Sequence, residues 1–436
     1  MAPITTPLTT LLGVSHPILL AGMARTSGGR LAAAVSNAGG LGVIGGFMYT
    51  PDQLREIVAE LKAHLTDPSL PFGVDLALPQ IGGNARKTNH DYTGGKLDEL
   101  IDITIESGAK LFVSAVGVPP KHVIDRLQDA GILIMNMVGH PKHAVKALDL
   151  GVDLICAQGG EGGGHTGDVA NSVLIPAVVD VARKYRPKLL GGLPALVVAA
   201  GGIYDGRSLA SSLMQGAAGV WVGTRFVASV EAGCSEEHKR EVVSCGFDGT
   251  ERTLVLSGRP LRMKTNDYIR GWHAQPERVK ALCDSGTVPI EYDLEEGNEI
   301  DPPHLMGQVA GLITRIQPAG EIVDEMVAEA VDMLKLGSTY LDASKSRFQP
   351  ETKHTSQAAD PETKGLSSTN TGILTRTSQT SLAAVQAASL RVSFHSSGST
   401  TRPMRTSAVG CTLSPSKQSG STPFHTRAVR TGPSLP

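Results

Sequence analysis

The chain has 436 residues, 41% of them hydrophobic and only 4% aromatic, with a formal net charge of −2. A near-neutral balance and two widely separated tryptophans, Trp221 and Trp272, argue against nucleic-acid and membrane-surface partners. Five cysteines without a CxxC pair, no apolar run near roughly 18 residues and no basic-then-apolar leader predict free thiols in an intracellular, cytoplasmic setting, with no membrane span and no metal site.

From residue 17 onward, short apolar runs alternate with helix-like stretches. Strands are predicted over 17–23, 41–46, 72–78, 110–116, 133–138, 153–158, 195–200 and 219–226. These runs are rich in Val, Ile, Leu and Ala and apolar on both faces, as parallel strands covered by helices should be. Between them, Thr50-Pro51-Asp52-Gln53 reads as a capping box with proline at the first helical position, followed by Leu54, Ile57, Val58, Leu61 and Leu65 at helical spacing. Pro119-Pro120 opens another helix with Val123, Ile124 and Leu127 on one face, and Asp205 is placed to cap a helix from Gly206. Gly108, Gly131, Gly151 and Gly216 stand where left-handed helix stops would lead into the next strand.

Eight strands with intervening helices fit a (β/α)8 TIM barrel, an α/β fold. A doubly wound open sheet is the competitor, but its glycine fingerprint usually follows the first strand. Here the richest glycine loops follow the sixth and seventh. Residues from about 230 to 340 read as a C-terminal helical extension, its last amphipathic helix carrying Met326, Val327, Ala330, Val331 and Leu334 and ending at Gly337. The domain is expected to span 1–342. Residues 343–436 are rich in Ser and Thr and poor in bulky aliphatics, which predicts a disordered tail.

Active sites of such barrels lie at the carboxyl ends of the strands. The loop after the sixth strand, from Gln158 to Gly167, surrounds His165 with Gly159, Gly160, Gly162, Gly163 and Gly164. Glycines let backbone approach a ligand closely, and an imidazole can take a proton near neutral pH. His165 is the candidate base, a satisfied core histidine being the alternative. Gly201 with Gly202, and Gly223 with Thr224, follow the seventh and eighth strands, where phosphate is commonly held by backbone N–H groups. Gly201-Gly202 as a simple turn is the competing reading. A phosphate anchor beside a flat pocket suggests FMN as cofactor. Asp75, at a strand end, either contacts that cofactor or caps a helix.

Four segments together make the chain resemble the nitronate monooxygenase family, in its fungal branch: residues 17–23, 158–167, 199–203 and 221–226. The resemblance implies an FMN-dependent barrel that oxidises alkyl nitronates with O2 to a carbonyl compound and nitrite, with His165 as base for neutral nitroalkanes. It implies cofactor contacts at Ala21, Gly22, Met23, Gln158, Gly163, Gly202, Trp221, Val222, Gly223 and Thr224; Gly201, from its strand-end loop, and Asp75, from its strand end, complete the expected set. Two departures stand out: many family members carry asparagine where Asp75 stands, and Trp221-Val222 replaces a common Gln-Met pair. An FMN-dependent NAD(P)H oxidoreductase of the enoyl- or quinone-reductase type is the rival, because such enzymes share the glycine-histidine loop.

Overall fold

Each hydrophobic run becomes a short strand because it can be buried on both faces. The strands are β1 (Ile18–Leu20), β2 (Gly42–Gly45), β3 (Phe72–Ala77), β4 (Leu111–Ala115), β5 (Leu133–Val138) and β6 (Leu154–Gln158), then β8 (Leu196–Ala200) and β9 (Gly219–Val222). A two-residue strand, β7 (Gly164–His165), intervenes between β6 and β8. The computed structural model describes residues 4–341; the tail expected over 343–436 lies outside them. Among the described residues no helix is long and apolar enough to cross a membrane.

The eight longer strands pair in parallel in the order β1-β9-β8-β6-β5-β4-β3-β2, and a bridge between Leu19 and Leu41 brings the two ends together. The result is the (β/α)8 barrel that the alternation predicts. Side chains alternate across the strands, so Leu19, Val43, Val113, Met135, Cys156 and Trp221 fill the interior while Leu20, Ile44, Phe112 and Val222 pack under the helices.

The predicted helix signals act where they stand. Thr50 caps Pro51–His64 reciprocally with Gln53, and Asp205 caps Gly206–Met214. Gly108, Gly131, Gly151 and Gly216 all take positive φ, the conformation a non-glycine residue would resist.

Four features differ from the sequence reading. The run 219–226 is strand only to Val222, and Thr224–Val227 forms a helical turn, because the barrel rim ends there. A six-residue helix, Pro7–Leu12, tucks Leu8 and Leu12 into the same cluster as the barrel's interior side chains. The extension is not purely helical: β10 (Thr250–Thr253) and β11 (Leu261–Lys264) form an antiparallel pair, with their own small core at Val255, Leu261, Met263, Ile269 and Trp272. Finally, the last helix, Ala319–Thr339, runs two residues past Gly337 and is part of the barrel. It packs on Gly206–Met214 so tightly that a Cβ on Gly206 would lie 2.3 Å from the Ala330 nitrogen. Residues 228–318 are therefore an insertion between the eighth strand and its helix.

Candidate active site

At the carboxyl ends of the strands lies an open cleft of about 1720 Å³. Its walls include Ala21, Gly22, Met23, Asp75, Gln158, Gly163, His165, Gly201, Gly202, Trp221, Gly223 and Thr224, so residues spread over 200 positions meet at one mouth. Val222 is the exception. Its side chain is buried under the helices, and its carbonyl accepts the Ala21 N–H at 2.9 Å.

The loop after β6 is held by its own side chains and by the insertion. The Gln158 amide nitrogen donates to the carbonyls of Gly163 (3.3 Å) and His165 (3.1 Å), and Thr166 Oγ1 donates to Gly159 O at 2.7 Å. Glu161 accepts the Asn171 N–H at the start of Asn171–Ala182 and makes no hydrogen bond to the imidazole. Several glycines here serve packing between loops. A Cβ on Gly163 would sit 2.7 Å from Gly307 N, and one on Gly201 2.8 Å from Gly159 O.

β11 pairs antiparallel with β7, setting Leu261 opposite His165. This brings Ser257 to the imidazole: its Oγ lies 2.9 Å from His165 Nε2. Nδ1 has no hydrogen-bond partner among the described residues. Burial, and then the nearby Arg259 guanidinium, push the His165 pKa down to about 4. The imidazole is thus neutral at physiological pH, with one ring nitrogen bonded and the other available.

Asp75 sits in β3 and is almost wholly buried, with Oδ1 lacking any partner. A Cβ on Gly22 would fall 2.3 Å from Asp75 Oδ2, so only glycine lets the β1 loop pass over the carboxyl. Burial without a cation holds the Asp75 pKa well above the carboxylate range. Burial therefore favours the protonated carboxyl, whose O–H donates a hydrogen bond as an asparagine amide does.

Beyond β8 and β9, Gly201 and Gly202 have φ of +81° and +76°. The N–H groups of Gly202, Gly223 and Thr224 meet no acceptor among the described residues, whereas the Thr224 hydroxyl is taken by Gly307 N at 2.9 Å. An orphaned buried carboxyl, unpaired backbone donors on two adjacent loops and a large concave mouth fit a phosphorylated planar cofactor. Ser257, Arg259 and Gly307, all from the insertion, escaped the sequence reading. Their only local signal is turn chemistry, and their role comes from pairing with a segment about 90 residues earlier.

A (β/α)8 barrel whose strand-end loops form a glycine-lined mouth around an imidazole has the architecture of an enzyme active site. The nitronate monooxygenase family profile matches residues 5–329, and the chain belongs to that family, whose members are flavoenzymes. It is similar to the 5-hydroxy-7a-methyl-1-oxo-octahydro-1H-indene-4-carboxyl-CoA dehydrogenase of Rhodococcus jostii, 36% identical over 76% of this chain and 97% of that one. Among solved structures it resembles FabK of Thermotoga maritima (TM-score 0.64, 30% identity, 78% of this chain and all of that one). It also resembles a nitroalkane oxidase of Streptomyces ansochromogenes (TM-score 0.63, 27% identity, 76% of this chain and 99% of that one).

Proposed function

We propose that the protein binds FMN and oxidises alkyl nitronates with O2 to a carbonyl compound and nitrite, and that His165 deprotonates neutral nitroalkanes at the same site. The observation that carries this is His165 itself: a half-buried, neutral imidazole at the cleft, bonded through one nitrogen and free at the other. A base must be unprotonated before it can act, and the environment of His165 secures that. The unpaired N–H groups of Gly202, Gly223 and Thr224 would take the cofactor phosphate, and protonated Asp75, with Gly22 and Met23 beside it, would meet the ring system. When bound, the flavin supplies the electron acceptor for the carbon and the route to O2.

The chain's own residues handle the proton. Ser257 fixes the imidazole through Nε2, so a carbon acid would lose its proton to Nδ1. A nitronate arrives already deprotonated and bypasses that step. His165→Asn is therefore expected to lower kcat/KM for nitroethane by about 10²–10⁴-fold and that for ethylnitronate much less. Equal losses on both substrates would remove the base assignment. The flavin spectrum during aerobic addition of ethylnitronate, together with nitrite release, tests the reaction itself.

The likeness to FabK favours one second reading, an FMN-dependent reductase with a nicotinamide donor. Anaerobic mixing with NADH or NADPH separates the two. Prompt bleaching of the flavin selects the reductase, and a persistently oxidised spectrum selects the oxidase chemistry.

A further inference from the structure

Two arginines on the rim of the cleft, Arg259 and Arg86, are tied to the protein by hydrogen bonds yet have no carboxylate partner among the described residues. Arg259 is half-buried; its Nη1 donates to Asn89 Oδ1 at 3.1 Å and its Nη2 to Val116 O at 3.3 Å. Arg86 lies alongside, its Nη1 donating to Gly258 O at 3.3 Å. Every hydrogen bond these guanidiniums make is to a neutral acceptor; while Arg259 is half-buried, Arg86, bonded to the residue before it, is exposed.

Of the other charges at the cleft, Arg25 and Lys146 also lack a carboxylate partner among the described residues but make no side-chain hydrogen bond that would fix them in place, and the rest are held. Arg252 pairs with Asp168 and Lys121 with Asp125. Asp91 accepts from Thr93 and Gly95 in its own turn, and Asp98 pairs with Arg126. Holding two like charges together in a partly desolvated site is unfavourable unless an anion completes it. A guanidinium has five N–H donors in a planar fork suited to a carboxylate or phosphate, and Arg259 uses only two of its nitrogens on the protein.

We propose that Arg259, backed by Arg86, is an anion subsite that binds a carboxylate or phosphate group carried by the substrate away from its reacting carbon. The two-residue link through Ser257 ties this subsite to His165, so the anion anchors one end of the substrate while the imidazole meets the other. The substrate role rests on the function proposed above; the anion binding does not.

Two measurements on the flavin-loaded full chain test it. Calorimetric titration with butyrate, butyramide and inorganic phosphate reads binding without turnover. Butyrate should bind and butyramide should not, with butyrate affinity falling about 10–100-fold in Arg259→Met and less in Arg259→Lys. Stronger binding of phosphate than of butyrate would assign the subsite to a phosphate-bearing substrate, and the reverse to a carboxylate. Kinetically, Arg259→Met should raise KM for propionate 3-nitronate at least tenfold more than KM for the nitronate of 1-nitrobutane. Equal binding of butyrate and butyramide, or unchanged butyrate affinity in Arg259→Met with wild-type melting, overturns the proposal. If no nitronate is turned over but butyrate binding still needs Arg259, the subsite stands and the nitronate reading falls.

Discussion

A histidine's use as a base depends on which nitrogen carries its proton, and here one hydroxyl sets that. Ser257 Oγ lies 2.9 Å from His165 Nε2 and 3.5 Å from the Arg259 carbonyl. If the hydroxyl donates to that carbonyl, Nε2–H donates to the hydroxyl, and the lone pair lies on Nδ1. Ser257 is accordingly a positioning residue. Ser257→Ala should lower kcat for nitroethane about tenfold, the scale of one lost hydrogen bond to an orienting group, while ethylnitronate turnover changes less. Ser257→Thr, which keeps the hydroxyl, should recover most of the loss. A uniform loss on both substrates, or no recovery with threonine, would reduce Ser257 to packing.

At the scale of elements, the loop after β6 is a joint between the barrel and the insertion, and its glycines divide accordingly. A methyl on Gly163 would collide with the Gly307 nitrogen and Met306, both backbone, whereas a methyl on Gly164 meets nothing within 4 Å and costs only the strain of φ +69°. Gly163→Ala is expected to destabilise by about 1–3 kcal/mol and to weaken flavin retention. Gly164→Ala should cost about 1–2 kcal/mol and leave the Met306–Gln308 segment in place. Thermal melts with released-flavin fluorescence check both; flavin retained by Gly163→Ala at the wild-type level would show the joint to be slack.

This joint also marks where sequence reading stopped. The barrel strands were legible because each is a self-contained apolar run, four of them introduced by a glycine helix stop, and the strand-end loops followed from them. The β10–β11 hairpin was not, since Thr250–Thr253 is wholly polar, Leu261–Lys264 is half polar, and the barrel-side partner of β11 is only two residues long. Pro7–Leu12 was too short for a period to register, although Thr6, Pro7 and Thr9 carry its cap. Glycine composition announced a site; which glycines face a ligand and which face another loop depends on contacts between residues 163 and 307 that no local pattern encodes.

For the whole molecule, two desolvated titratable groups, buried Asp75 and half-buried His165, bias stability from opposite sides of pH. The His165 pKa is lower folded, about 4, than unfolded, 6.5, so its contribution is intact above pH 6.5 and is lost as pH falls toward 4. The loss is on the order of 3 kcal/mol. Asp75 behaves in reverse. Its folded pKa is raised above 3.8, so its contribution is intact below pH 3.8 and erodes as pH climbs toward the folded value. Replacing each group with a neutral counterpart should remove one limb. Asp75→Asn should melt progressively higher than wild type as pH rises from 4 to 9, because the amide keeps the shape and cannot ionise. His165→Gln should gain on wild type as pH drops below 6.5 and match it above. Calorimetric melts of the flavin-loaded protein across that range decide the matter: an Asp75→Asn difference independent of pH would mean that the carboxyl is ionised in the fold, and the neutral acid at the cleft, with the hydrogen bond it would donate to a cofactor, would have to be given up.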